Sequence, residues 1–136
     1  MPLDNIIHYP VMLNEIQNVI KNPNIIIDAT FGGGGYSYAF LKKFSNCSIK
    51  AFDRDEEAKN IAQKLTKAYK SRFSFYHNKF SNIKDHISND LENVTHVIYD
   101  LGLSNFQIQN RGRGFSYKIN CPIKMTMGIN HYNALD

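Results

Sequence analysis

Residues 25–37, IIIDATFGGGGYS, decide the fold. The three isoleucines before Asp28 give a run too short for a helix and patterned for a strand buried on both faces. Behind them Gly32, Gly33, Gly34 and Gly35 use four of the chain's eight glycines in succession. The chain then continues as YSYAFLKKF, where Tyr36, Ala39, Phe40 and Phe44 share one helical face. Strand, glycine turn and helix in that order open an alternating α/β arrangement, and in open α/β sheets ligands sit beyond the carboxyl ends of the strands. Glycine at such an end lets a ligand approach the backbone, and the helix that follows offers unpaired N–H groups.

Working outward, SIKAFD is a second strand ending at Asp53, followed by DEEAKNIAQKLTKAYK. That segment starts with three acids, ends in lysines to match the helix dipole, and places Ala58, Ile61, Ala62, Leu65 and Ala68 on one stripe. RFSFYH alternates as a third strand, SNIKDHIS predicts a short helix begun by Ser81, and VTHVIYD is a fourth strand ending at Asp100. Upstream, PVMLNEIQNVI over 10–20 predicts a helix with Pro10 in its first turn and Val11, Met12, Glu15, Ile16, Val19 and Ile20 at helical spacing, ending near Pro23. Strand and helix alternate after residue 24, which implies parallel strands joined by right-handed crossovers. Past Asp100 no sustained period remains, so 101–136 is expected to be an ordered functional loop region. A single domain over 1–136 is expected, with a helical segment 1–23, a cofactor-binding core 24–100 and a substrate-side region 101–136.

Asp53 lies eighteen residues after Gly35, near the ~20-residue spacing of the acid that holds a ribose in dinucleotide sites. Asp55 is left to cap the next helix, so Asp53 is the candidate acceptor for ribose hydroxyls. A strict G-x-G-x-x-G pattern fails, because its sixth position from Gly32 is Ser37. That failure, and the lack of an evident hydride-transfer acid or base, disfavours a nicotinamide enzyme.

The 136 residues are 43% hydrophobic, enough for one core, and carry 16 Lys plus Arg against 12 Asp plus Glu, a formal charge of +4 compatible with an anionic partner. Cys47 and Cys121 form no CxxC pair and the five histidines show no ligand spacing, so no metal site is expected. No secretory signal, internal repeat or membrane-length apolar run is evident, and a reducing, cytoplasmic setting is expected.

Six blocks carry a family likeness: HYPVMLNEI from His8, DATFGGGGYS, AFDRD, NKFSNI, YDLGLSNFQIQ and RGFSY. In order and near spacing they resemble the bacterial small-subunit ribosomal RNA cytosine N4-methyltransferase family (RsmH, also called MraW), from about His8 to Asp136. The resemblance implies a Rossmann-like class I fold and methyl transfer from S-adenosylmethionine (SAM) to N4 of a cytidine in 16S rRNA near the decoding centre. Carried over by position, its cofactor contacts fall on Gly34, Gly35, Tyr36, Asp53, Phe80, Asp100 and Gln107. From the residues alone Phe80 reads as core packing and Gln107 as a loop amide. Asp100, Ser104 and Asn105 are candidate catalytic residues on the substrate side, because acceptors near the exocyclic amine favour its developing positive charge. Arg111 and Arg113, interleaved with Phe115 and Tyr117, are candidate RNA contacts.

The chain departs from the family in several places. Gly33 and Tyr36 replace the usual residues of the glycine loop, and NCPIKMTMG at 120–128 stands where DGPLDMRMD is usual. Cys121 thus replaces a glycine, Lys124 and Gly128 replace acids, and Thr126 replaces an arginine. Cys121 raises an alternative cytosine C5 chemistry through a thiolate, although the order is Cys-Pro rather than Pro-Cys. The family is also more than twice as long, with further strands. The fourth strand should therefore expose an apolar edge at Val97 and Ile98, and self-association or a homodimer is expected. A non-catalytic SAM- or RNA-binding piece is the competing reading.

Overall fold

The computed structural model describes residues 9–118, 120–128 and 132–136. The first residue of the family-like blocks, His8, and the front of the expected N-terminal segment lie outside the described residues. Four strands form one parallel sheet: β1 (Ile25–Asp28), β2 (Ser48–Asp53), β3 (Phe73–His77) and β4 (Val94–Ile98). Their spatial order is β3-β2-β1-β4. The chain moves outward from β1 to β3 and then crosses back to place β4 on the other side of β1, so the order reverses between β1 and β4. This is the Rossmann-like arrangement expected from the alternation.

β1 is buried along its whole length, which explains its unbroken isoleucines. Each such side chain removed from water contributes about 1.5–3 kcal/mol. On one face, α1 (Leu13–Val19), α2 (Gly35–Lys43) and α3 (Glu56–Tyr69) bury Ile26, Ile49, Ala51 and Phe73 under Leu13, Phe40, Leu41, Ala62 and Leu65. On the other, α4 (Ile83–Ile87) covers Ile27 and Phe52 with Ile83 and Ile87. Arg72 closes the C-terminus of α2 by donating to the carbonyls of Leu41 at 3.0 Å and Phe44 at 2.9 Å.

Several expected details differ. The N-terminal helix covers only Leu13–Val19, because Met12 at φ 53 breaks the helical path ahead of it. Its inward stripe is Leu13, Ile16 and Ile20, while Val11, Met12 and Val19 are exposed. The stripe of α3 stops at Leu65; Ala68 is exposed and Tyr69 packs against the core instead. Ser81 caps nothing, since it lies inside a 3-10 turn, Phe80–Asn82, and its hydroxyl donates to Asn82 Oδ1 at 3.1 Å. β4 ends at Ile98, two residues before Asp100. The region after Asp100 contains a helix that periodicity missed, α5 (Asn105–Gln109). Among the described residues no helix is long and apolar enough to cross a membrane.

Candidate functional site

A cleft of about 740 Å³ opens beyond the carboxyl ends of all four strands, across the point where strand order reverses. The end of β1 forms its floor. There Ala29 N–H donates to the Ile98 carbonyl at 2.9 Å and Phe31 N–H to the Phe52 carbonyl at 3.0 Å, stitching the first turn residues to both neighbouring strands. Gly34 takes φ 77 as the residue before α2, and a β-carbon there would stand 2.8 Å from the Phe31 ring. Only glycine fits that turn without displacing the ring.

Asp53 ties the glycine turn to the next strand. Its Oδ2 accepts from Gly32 N–H at 2.7 Å and its Oδ1 from Asp55 N–H at 2.8 Å. The Arg54 amide also bears on this carboxylate, which leaves about one of its four acceptor positions for a ligand hydroxyl. Burial pushes its carboxyl above the ordinary value, against the opposing pull of the Asp55 and Gly32 amides. Asp55 does cap α3, accepting from Glu57 N–H at 3.0 Å. Beneath the turn, buried Asp28 accepts from the Ser37 hydroxyl at 2.6 Å, and burial lifts its carboxyl to about 6.

The far wall comes from the segment after β4. Asp100 N–H donates to Thr30 Oγ1 at 2.7 Å, which fixes this strand end beside the first. Gln107 is buried, with its Oε1 accepting from Ser104 N–H at 3.0 Å and its Nε2 donating to Asp55 Oδ2 at 2.9 Å. Ser104 Oγ is buried at the start of α5, in capping-box geometry with Gln107, and Ser104 lines the cleft. Phe80 is 45% exposed at the rim and meets Tyr99 edge to face at 5.5 Å.

Of the residues marked as cofactor contacts, Gly35, Tyr36, Asp53, Phe80, Asp100 and Gln107 line this one cleft; Gly34 shapes the turn without lining it. Of the candidate catalytic residues the cleft includes Asp100 and Ser104, whereas Asn105 is exposed outside it. Arg113 turns its guanidinium to Asp55 and Glu57, so it is not presented to solvent as an unpaired cation. Arg111 and Tyr117 are exposed, and Phe115 is half-buried. Residues that the sequence reading left out also appear: Leu101, Leu103 and Val11 make the mouth apolar, and Met127 reaches the lining from the 120–128 segment.

The size of the cleft, the amide-bearing turn at a helix start, an acid with spare acceptor capacity and the buried Ser104 hydroxyl suit a ligand with both a ribose and a polar chain. A sequence profile of the MraW methylase family matches residues 5–134. The chain belongs to that family. The MraW likeness extends to the ribosomal RNA small subunit methyltransferase H of Ehrlichia ruminantium (strain Welgevonden), 38% identical over 123 residues covering 88% of this chain and 40% of that one. The protein of the same name in Buchnera aphidicola subsp. Baizongia pistaciae is 43% identical over 132 residues, covering 93% and 41%. The crystal structure of a putative rRNA-methylase from Clostridium thermocellum matches with a TM-score of 0.51 at 26% identity, over 68% of this chain and 50% of that one. The fold is therefore the Rossmann-like methyltransferase fold, and this MraW-family chain spans about two fifths of the length of the curated relatives it matches.

Proposed function

We propose that this chain is the SAM-binding part of an rRNA methyltransferase that methylates N4 of a cytidine in 16S rRNA of the small ribosomal subunit. The observation that carries this reading is the shared cleft, which gathers Gly35, Tyr36, Asp53, Phe80, Asp100 and Gln107 from the ends of four strands separated in sequence. The names of the relatives support the rRNA substrate class.

SAM, when bound, supplies a methyl group on a positively charged sulfur. The chain's own residues bind and orient. Asp53 would accept from a ribose hydroxyl with the acceptor capacity that the backbone amides leave unused. The N–H groups of the first turn of α2 would donate to the ligand's carboxylate. Phe80 offers an apolar ring face to a base. Asp100 and Ser104 stand on the opposite wall, where an incoming cytosine amine would meet them; an acceptor there favours the amine as positive charge develops on it. Held in line, the two reactants gain chiefly from orientation.

Methyl transfer from radiolabelled SAM to unmethylated small subunits, followed by nucleoside analysis, tests the reading. Label in N4-methylcytidine is the expected result. SAM binding without transfer would favour the competing reading, a non-catalytic SAM- or RNA-binding piece. Label in 5-methylcytidine would favour the thiolate alternative, against which stands the absence of Cys121 from the cleft lining.

A further inference from the structure

Asp55 and Arg113 are both outside the cleft lining, yet they make the most heavily bonded ion pair among the described residues. The Asp55 side chain is 0% exposed and that of Arg113 is 15% exposed. Asp55 Oδ1 accepts from Glu57 N–H at 3.0 Å and Arg113 Nη2 at 2.8 Å; Oδ2 accepts from Gln107 Nε2 at 2.9 Å and from Arg113 Nη1. All four acceptor positions of the carboxylate are thus filled. A helix cap uses one of them, and asparagine or serine would serve as well. The rest of the carboxylate answers the planar guanidinium fork, which a lysine does not match. Burial alone would raise the Asp55 carboxyl; Arg113 and then Gln107 hold it below the ordinary value.

We propose that this pair is a latch that fixes the segment 101–113 against the cofactor side of the cleft, making Asp55 and Arg113 positioning residues for Gln107 and Ser104. The segment has little else to hold it. α5 has five residues, too few to persist without tertiary contacts, and its single buried side chain is Gln107. Leu101, Leu103 and Ile108 are exposed. The other ties converge on the same helix start: Asn110 Nδ2 donates to Glu57 Oε1 at 2.9 Å, and Arg113 Nη2 to the same oxygen at 3.2 Å. The backbone of Arg113 extends the latch outward, its carbonyl accepting from Met125 N–H at 2.7 Å.

Asp55 is also two residues from Asp53, whose Oδ1 accepts the Asp55 amide. A continuous run of hydrogen bonds therefore joins Gly32, Asp53, Asp55, Gln107 and Ser104, from one wall of the cleft to the other. Opening the latch strands a buried carboxylate and frees the Gln107 amide to turn. Arg113 accordingly acts within the protein, and exposed Arg111 is the arginine of this loop that is open to a phosphate.

The ligand half of this inference rests on the SAM reading; the loop half does not. Hydrogen exchange of the backbone amides is measured in the wild-type chain, Asp55→Asn, Arg113→Gln and the double variant, with SAM affinity by calorimetry. Asparagine keeps the cap while removing the charge. Both single variants should raise exchange over 104–113 at least tenfold while the amides of β1, β2 and α3 keep theirs, and should weaken SAM about tenfold. The double variant should be no worse than either single one, as for two halves of one device. Wild-type protection of 104–113 in Arg113→Gln overturns the latch, as does equal loosening of the sheet and α3, or a double variant whose losses simply add. If the wild type itself binds no SAM, the cofactor reading fails while the exchange result still decides the latch.

Discussion

Gly128 lies against Arg54 so closely that a β-carbon on it would stand 2.0 Å from the Arg54 carbonyl oxygen, and its φ is 70. Arg54 in turn donates from Nε to the Met127 carbonyl at 2.7 Å. Met127 and Gly128 are thus laid directly over the start of α3, and the lack of a side chain at Gly128 is what allows that approach. Gly128→Ala should lower the melting temperature, with a loss of about 1–3 kcal/mol from overpacking and backbone strain. Gly128→Asp should be no better tolerated. Unchanged thermal melts for both variants would contradict the close approach.

The Asp28 carboxyl is buried, carries one unpartnered oxygen and is raised to about 6 from an ordinary 3.8. A carboxyl raised in the folded state binds its proton more tightly there than in the unfolded chain. Its contribution to stability is therefore full below the unfolded value and is lost as pH rises through about 6. Asp28→Asn should be more stable than wild type at pH 7.5 by on the order of 2–3 kcal/mol, converting the shift at 1.36 kcal/mol per unit. The advantage should shrink below pH 6 and vanish near pH ~4. Paired melts across that range check it, and a difference independent of pH would refute it.

β4 pairs with β1 alone among the described strands, and Val97 on it is 45% exposed. Unpaired backbone groups beside apolar side chains invite pairing with another chain. Sedimentation of the isolated chain should show concentration-dependent association, and Val97→Lys should shift it toward monomer without lowering the melt. A wild-type chain that stays monomeric at high concentration would refute this.

The sheet was legible because β1, β2 and α3 each carry a period that packing then uses: unbroken isoleucines for a strand covered on both faces, and Ala58, Ala62 and Leu65 for a helix covered on one. α1 was misplaced because two turns at the edge of a core tolerate several phases, and the left-handed turn at Met12 chose between them. α5 escaped notice because its stability is tertiary. A signal for it exists, since Ser104 and Gln107 have the spacing of a capping box. Nothing local to Arg113 marks its ion-pair partner Asp55, 58 residues earlier, so that contact is not legible in the sequence. Of the site, the glycines, Asp53 and Asp100 could be picked from strand ends, whereas Phe80 and Gln107 came only with the family likeness.

Calorimetric titration of the purified chain with SAM, using Asp53→Ala and NAD as controls, tests the central claim most directly. Micromolar SAM affinity, about −8 kcal/mol, is predicted for the wild type, with binding lost in Asp53→Ala and no binding of NAD. A folded chain that takes up no SAM, or an Asp53→Ala variant that binds it as tightly as wild type, would contradict the account.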